Sequence, residues 1–474
     1  MRTPEELERL RSAREQRRLA SEAREMKRLE KEKAKPKSKS YLWYMVFFLC
    51  LVYIVDEVAT GVHNGIVDLA NEEFFVNGLG LTIQQGQGNF SLMETAANVF
   101  LVIGFFYKAL ADRFGRKPFL IANTIGMVGG LILCLWSQNL VVYILGFCVI
   151  RFFVTPDEQI VYIFESAPKD KRGSIYSAVK GISELGLLLI PLGRRLFVDA
   201  GGNTIWRMVF LVPAIIGAVV SFCLCFLARE TDPYIDSRLA YLKLTPEERL
   251  KIAKERKDQS KKQGGFFAAI RYGWSGKQLR WIFIVTLIFT FSRAITSYYT
   301  TILQTYNYTA DQRTNALLMY PITAALIVFL YGFLSDKVGR KITSIALLSI
   351  TIVTLGLFVL GSYLGWNEYI LGLIIGLFLG AYWSNGDTLI LMTGESAPTN
   401  LRASIMSAQT LFYGVGMVLS QFLSGTIVKL LPNGFLGLYC IVLAIPCFIA
   451  SLFFLMTKVK ETKGASVDQA VKQE

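Results

Sequence analysis

The feature that most constrains this chain is a series of twelve apolar blocks, each close to the ~20 residues a bilayer core requires. They fall at about 41–66, 90–110, 118–137, 140–164, 173–193 and 205–228, then 280–303, 314–334, 342–363, 369–393, 403–429 and 435–457. Lipid offers no partner to a backbone N–H or C=O, so each block must satisfy its own polar groups as a helix. The composition agrees: 53% of the 474 residues are hydrophobic and only 18% charged. The expectation is an all-α membrane protein with twelve transmembrane helices.

Two motifs occur twice, in the same order. ADRFGRK at 111–117 returns as SDKVGRK at 335–341, and ESAPKDKRGSIYS at 165–177 returns 230 residues later as ESAPTNLRASIMS at 395–407. Repetition in register implies two homologous halves. The expected organisation is a charged tail (1–40), a six-helix bundle (41–228), a polar linker (229–279), a second six-helix bundle (280–457) and a short tail (458–474).

The net charge is +14, but the positives collect in 1–40, 111–117, 165–173 and 229–279. This distribution reads as topology control and attraction to anionic headgroups, not nucleic-acid binding. The loop 67–89, with Asp68, Glu72 and Glu73, carries no Lys or Arg. By the positive-inside rule both termini and the linker are cytoplasmic, and a plasma (inner) membrane location is expected. Arg194 and Arg195 depart from the rule, as an outer gate or a lipid anchor. Residues 1–40 lack the apolar core of a signal peptide and favour a solvated helix to about Lys35-Pro36. All seven cysteines lie in apolar blocks, and the chain has a single His, so no disulfide, metal site or cofactor is expected. No nucleotide loop or catalytic set is present, so no catalytic residue is assigned.

Together these residues resemble the major facilitator superfamily. ADRFGRK and SDKVGRK are similar to its loop 2–3 and loop 8–9 signature. Glu165 with Arg172, and Glu395 with Arg402, resemble the corners of its sugar-porter-like branch, as does Lys460-Glu461-Thr462-Lys463-Gly464 without a leading Pro. Ser297-Tyr298-Tyr299 resembles the paired tyrosines of its seventh helix. The resemblance implies a cytoplasmic gate built from Asp112, Arg116, Glu165, Arg172, Asp336, Arg340, Glu395 and Arg402. Two departures point away from a plain sugar: Lys180 replaces the usual Gln, and Thr290-Phe-Ser-Arg293 stands where a Gln-rich run is usual.

Ionisable groups at membrane depth are functional by default. Asp56 and Glu57 sit mid-span in the first block, with Asp56, Thr60, His63 and Asn64 on one helical face. His63, near the outer end, is expected to meet water. Arg151, Asp157 and Glu158 lie in the fourth block, Lys180 and Glu184 in the fifth as an i, i+4 pair, Arg293 in the seventh, and Trp383 and Asp387 in the tenth. Asp157 and Asp387 each precede their corner Glu by eight residues. Asp56, Glu57, Asp157 and Glu158 are assigned to proton coupling. Arg151, Lys180, Glu184, Arg293, Tyr298, Tyr299, Trp383 and Asp387 are assigned to substrate. The predicted function is proton-coupled uptake of a small organic anion, acidic sugar or related metabolite by alternating access, with small solute, protons and lipid bilayer as partners and a monomer as the default state. Proton-exchange efflux of lipophilic or cationic compounds is the alternative, and a non-transporting membrane sensor is the alternative of another class.

Overall fold

The computed structural model describes residues 4–34, 41–108, 115–154, 162, 165, 172–198, 205–245, 247–249, 251–252, 265–397 and 402–463. Helical segments form in all twelve apolar blocks. The first half holds α2 (Tyr41–Asn71), α3 (Ile83–Lys108), α4 (Arg116–Leu135), α5 (Leu140–Val154), α6 (Arg172–Glu184) continued by α7 (Leu189–Phe197), and α8 (Leu211–Leu227). The second holds α11 (Lys277–Thr290) continued by α12 (Tyr299–Thr305), α13 (Ala310–Val338), α14 (Arg340–Tyr363), α15 (Glu368–Ser396), α16 (Arg402–Val428) and α17 (Leu436–Lys458). Nine helical spans among the described residues are long and apolar enough to cross a membrane. Outside them, α1 (Pro4–Lys33) precedes the first half, and α9 (Asp232–Lys243) and α10 (Gly265–Ser275) lie in the linker.

The bundle has two ends. The linker face carries α1, α9 and the N-termini of α4 and α14. The distal face carries the ends of α2 and α7 and the start of α13. The predicted tail helix forms, and it packs on the linker. Leu29 is buried with Ile235, Leu239 and Leu242, and Glu25 pairs with Arg238 at 2.9 Å.

Three boundaries differ from expectation. The first transmembrane helix does not end at 66: it runs to Asn71 and on through a π turn to Asn77, which draws Asp68 out of the supposed loop into full burial. The fifth is interrupted by a 3-10 turn at Leu185–Leu188. The seventh breaks at a 3-10 turn, Arg293–Ser297. No Gly or Pro marks that break. Ser292 and Thr296 hydroxyls donate to the carbonyls of Phe289 and Arg293, and the freed Ala294 N–H donates to Ser420 Oγ at 2.9 Å. Irregular backbone at membrane depth is tolerated where protein supplies such partners.

The duplicated corners have a third pair of members. Glu230 Oε1 accepts from Arg116 N at 3.0 Å, and Glu461 Oε1 accepts from Arg340 N at 2.8 Å. Each carboxylate caps the helix that begins after Gly115 or Gly339, answering its orphan N–H groups and dipole. Asp336 pairs with Arg340 Nη1 at 2.6 Å, and Asp112 lies outside the described residues. Both capping glycines have positive φ, 106° and 108°.

Candidate functional site: a charged cavity between the halves

A cavity of about 400 Å³ lies between the two halves. At its distal end stand Asn64, Tyr299 and Tyr320, and toward the linker face it reaches Val154, Ile390 and Thr410. Four carboxyl groups line it, Asp56, Glu57, Glu184 and Asp387, with three cations, Arg151, Lys180 and Arg293. Nine of the predicted substrate and coupling residues therefore meet here, Tyr299 and Trp383 included.

Lys180 and Asp387 pair across the halves with Nζ to Oδ2 at 2.5 Å, and Tyr331 OH donates to the same oxygen at 3.3 Å. Lys180 was expected to pair with Glu184 one turn on. The Lys-before-Glu order is the weaker one on a helix, and Asp387 comes from the facing half. Glu184 sits within electrostatic reach of Glu57 and, more weakly, of Lys180 and Asp387. On another wall the Arg293 guanidinium lies 4.8 Å from the centre of the Trp383 ring. It also donates to Thr296 Oγ1. Arg151 lies 4.9 Å from the Phe147 ring centre and is within electrostatic reach of Arg293.

Tyr298 corrects its expectation. It does not line the cavity; its OH bonds Ser91 Oγ at 2.7 Å, in the seam between the halves. His63 also departs from its expectation of solvent contact. It is only 2% exposed, because Phe90, Tyr143 and Phe147 enclose its ring. Asp157 and Glu158 lie outside the described residues.

The corner pairs form within each half. Arg116 Nη2 is 3.0 Å from Glu165 Oε1, and Arg340 Nε is 3.0 Å from Glu395 Oε1. The other carboxylate oxygen accepts from Thr231 or Thr462. Arg172 and Arg402 start α6 and α16, with side chains outside the described set. Among the described residues, the polar contacts that cross between halves run from mid-membrane to the distal face. Asp68 accepts two bonds from Arg194, at 2.8 and 3.0 Å, and lies 3.0 Å from Arg313 Nε of the other half. Arg194 Nε donates to Thr314 Oγ1 at 3.0 Å, and Arg195 to Asn315 at 2.6 Å. Of the two readings for Arg194, its zero exposure fits closure of the distal end and not a lipid anchor.

Sequence reasoning missed three groups: Glu94, Arg313 and the amides Gln409 and Gln421. Glu94 sits five residues into the second apolar block, so the rule that flagged Asp56 applies to it equally. Arg313 and the amides gave no signal, since Arg313 borders its block and neutral amides are common at helix interfaces.

Two pseudo-symmetric helical halves thus enclose a polar cavity that the Asp68 cluster closes at its distal end. A Major Facilitator Superfamily profile matches residues 46–421, and the chain belongs to that family. It is thus a membrane transporter and not an enzyme. It is 28% identical over 145 residues to the uncharacterized transporter YgaY of Escherichia coli O157:H7, across 29% of this chain and 36% of that relative. The match therefore spans about a third of that relative's length. Over 381 residues it is 21% identical to the glucose transporter GlcP of Staphylococcus epidermidis, covering 76% of this chain and 82% of GlcP. Its fold is similar to the inward-open xylose transporter XylE from E. coli, with a TM-score of 0.67 and 17% identity over 91% of this chain and all of that one.

Proposed function

We propose that this transporter carries a small organic anion or acidic sugar inward together with protons. One observation carries the reading: Arg151 and Arg293 line the same cavity as four carboxyl groups. Arginine stays charged and grips carboxylates in a planar fork, so two of them in one cavity suit an anionic solute. Trp383 and Tyr299 offer amphipathic walls to a sugar-like body. Glu57 and Glu184, two acids in electrostatic reach of each other, disfavour joint ionisation, and one of them is suited to carry the proton. GlcP and XylE, a glucose and a xylose transporter by name, fit a sugar-sized solute. The positive charge of the linker supports, by the positive-inside rule, cytoplasmic termini, and a plasma membrane is the location that fits uptake.

The test is uptake into proteoliposomes under an imposed inward proton gradient, with galacturonate, gluconate and glucose as solutes. Galacturonate or gluconate accumulates, and Arg293→Ala lowers its uptake at least ~10-fold, the equivalent of about 1.4 kcal/mol of lost binding. Glucose accumulation that Arg293→Ala leaves intact, with no uptake of either acid, would sink the anion reading.

A further inference from the structure

We propose that Glu94 and His63 form a proton-holding site in the seam between the halves, one layer behind the cavity wall; this rests on the proton-coupled reading above. Glu94 belongs to α3 and is 4% exposed. Each of its oxygens serves a different half. Oε1 lies 3.2 Å from His63 Nε2, on α2 of its own half. Oε2 accepts from Gln421 Nε2 on α16 and stands 3.5 Å from Ser297 Oγ in the broken seventh segment, both of the other half. The second ring nitrogen of His63, Nδ1, is engaged by Tyr143 OH at 2.5 Å. The ring is thereby held with Nε2 beside the carboxyl, at ion-pair distance but out of hydrogen-bond alignment.

A dyad of this kind takes up one proton from water with no other covalent bond changing. The proton resides on the Glu94 carboxyl, and the pair's net charge rises by one. What distinguishes it from the acids of the cavity is where that charge is felt. Ionised Glu94 makes a charge-assisted bond to the other half, roughly twice as strong as a neutral one. A protonated carboxyl leaves only a neutral bond: protonated on Oε1 it still accepts from the Gln421 amide, and protonated on Oε2 it needs that amide to turn inward its oxygen, which has no hydrogen-bond partner now. Proton occupancy therefore sets how firmly the seam is tied.

Arg151 of α5 and Arg293 of the seventh segment favour the ionised carboxyl from within electrostatic reach. Tyr143 and Tyr298 face Glu94 without charge, backed by Cys134 and Arg207 and by Tyr439 and Cys440. Asp56 of α2 balances Arg151 from the cavity side. The Phe90 and Phe147 rings, centred 5.7 and 4.4 Å from that of His63, exclude bulk water and oppose ionisation.

The test needs no substrate. Infrared difference spectra of the purified transporter between acid and neutral pH report a buried carboxyl by its C=O stretch. The expected result is a titrating band that Glu94→Gln removes and His63→Gln moves to another pH. A band unchanged in Glu94→Gln overturns the site; if that variant does not fold, an unchanged midpoint in His63→Gln does so. In proteoliposomes, Glu94→Gln is expected to lower gradient-driven galacturonate accumulation at least ~10-fold more than galacturonate counterflow, the equivalent of about 1.4 kcal/mol. Equal losses overturn the coupling role. A wild type that moves no galacturonate counts against the cavity's solute reading, and the infrared result still decides the proton site.

Discussion

Glu230 and Glu461 occupy matching positions in the two halves, yet their surroundings set them apart. Burial pushes the Glu230 carboxyl above its ordinary pKa, against the N–H groups of Thr231, Lys117 and Arg116, and Glu32 of α1 adds to the rise. For Glu461 burial acts the same way, but the N–H groups of Lys463, Arg340, Thr462 and Lys341 outweigh it and hold the carboxyl below its ordinary value. The two corners therefore respond oppositely to acid. A depressed carboxyl contributes stability that is full above the usual carboxylate range and is lost as pH falls through the folded value. A raised one contributes below that range and loses it as pH rises through the folded value. Between pH 7 and about pH 4, the usual carboxylate range, hydrogen-exchange protection of the Arg340 and Lys341 amides should fall relative to that of Arg116 and Lys117. Equal loss at both corners would contradict this account. The doubled RK and ES motifs were readable because identical letters recur. The Glu-Thr pair, 230–231 and 461–462, was readable only in part, since two shared residues carry little signal until the fold brings them to the same cap.

At the scale of the element, the seventh transmembrane segment decides most about the cavity. Its break turns Arg293 over Trp383 and frees the Ala294 N–H, which Ser420 of α16 accepts. Ser420 is fully buried, and water has no access to replace it. A buried donor without a partner costs roughly 1–3 kcal/mol. Ser420→Ala is thus expected to lower the thermal unfolding midpoint by a few degrees, while Ser420→Thr, which keeps the hydroxyl, holds near wild type. Identical midpoints for the two variants would remove Ser420 from the account of the break. Hydropathy marked this block as one helix because apolar length says nothing about continuity. The break depends on hydroxyls that bond backward to their own backbone and on a partner 126 residues away.

For the whole molecule, the Asp68, Arg194 and Arg313 cluster ties one half to the other at the distal end. All three side chains are nearly or fully buried. Removing one member of such a set leaves an uncompensated buried charge, typically a loss of about 3–5 kcal/mol. Asp68→Asn leaves two buried arginines without their carboxylate, and their mutual repulsion favours parting of the halves. Spin labels at Leu196 and Leu430, both well exposed on the distal side of opposite halves, should report a longer separation in Asp68→Asn than in the wild type. An unchanged distance distribution would show that the cluster does not hold the distal end shut. The corner pairs, Arg116–Glu165 and Arg340–Glu395, each lie within one half, so they brace the halves internally in this closed-distal state.

The sequence alone determined the membrane setting, the helical blocks, the duplication and most of the charged residues that meet in the cavity. These follow from local physics: backbone bonds must close within each block in lipid, and charge at that depth is conspicuous. Tertiary structure decided the partners. Lys180 faces Asp387 and not Glu184, Asp68 is enclosed by two arginines, Tyr298 turns into the seam, and His63 meets Glu94 behind the cavity wall. Each of these depends on which helix stands opposite in the packed bundle. Spacing along one helix fixes a face, and only the packing of the helices fixes what that face meets.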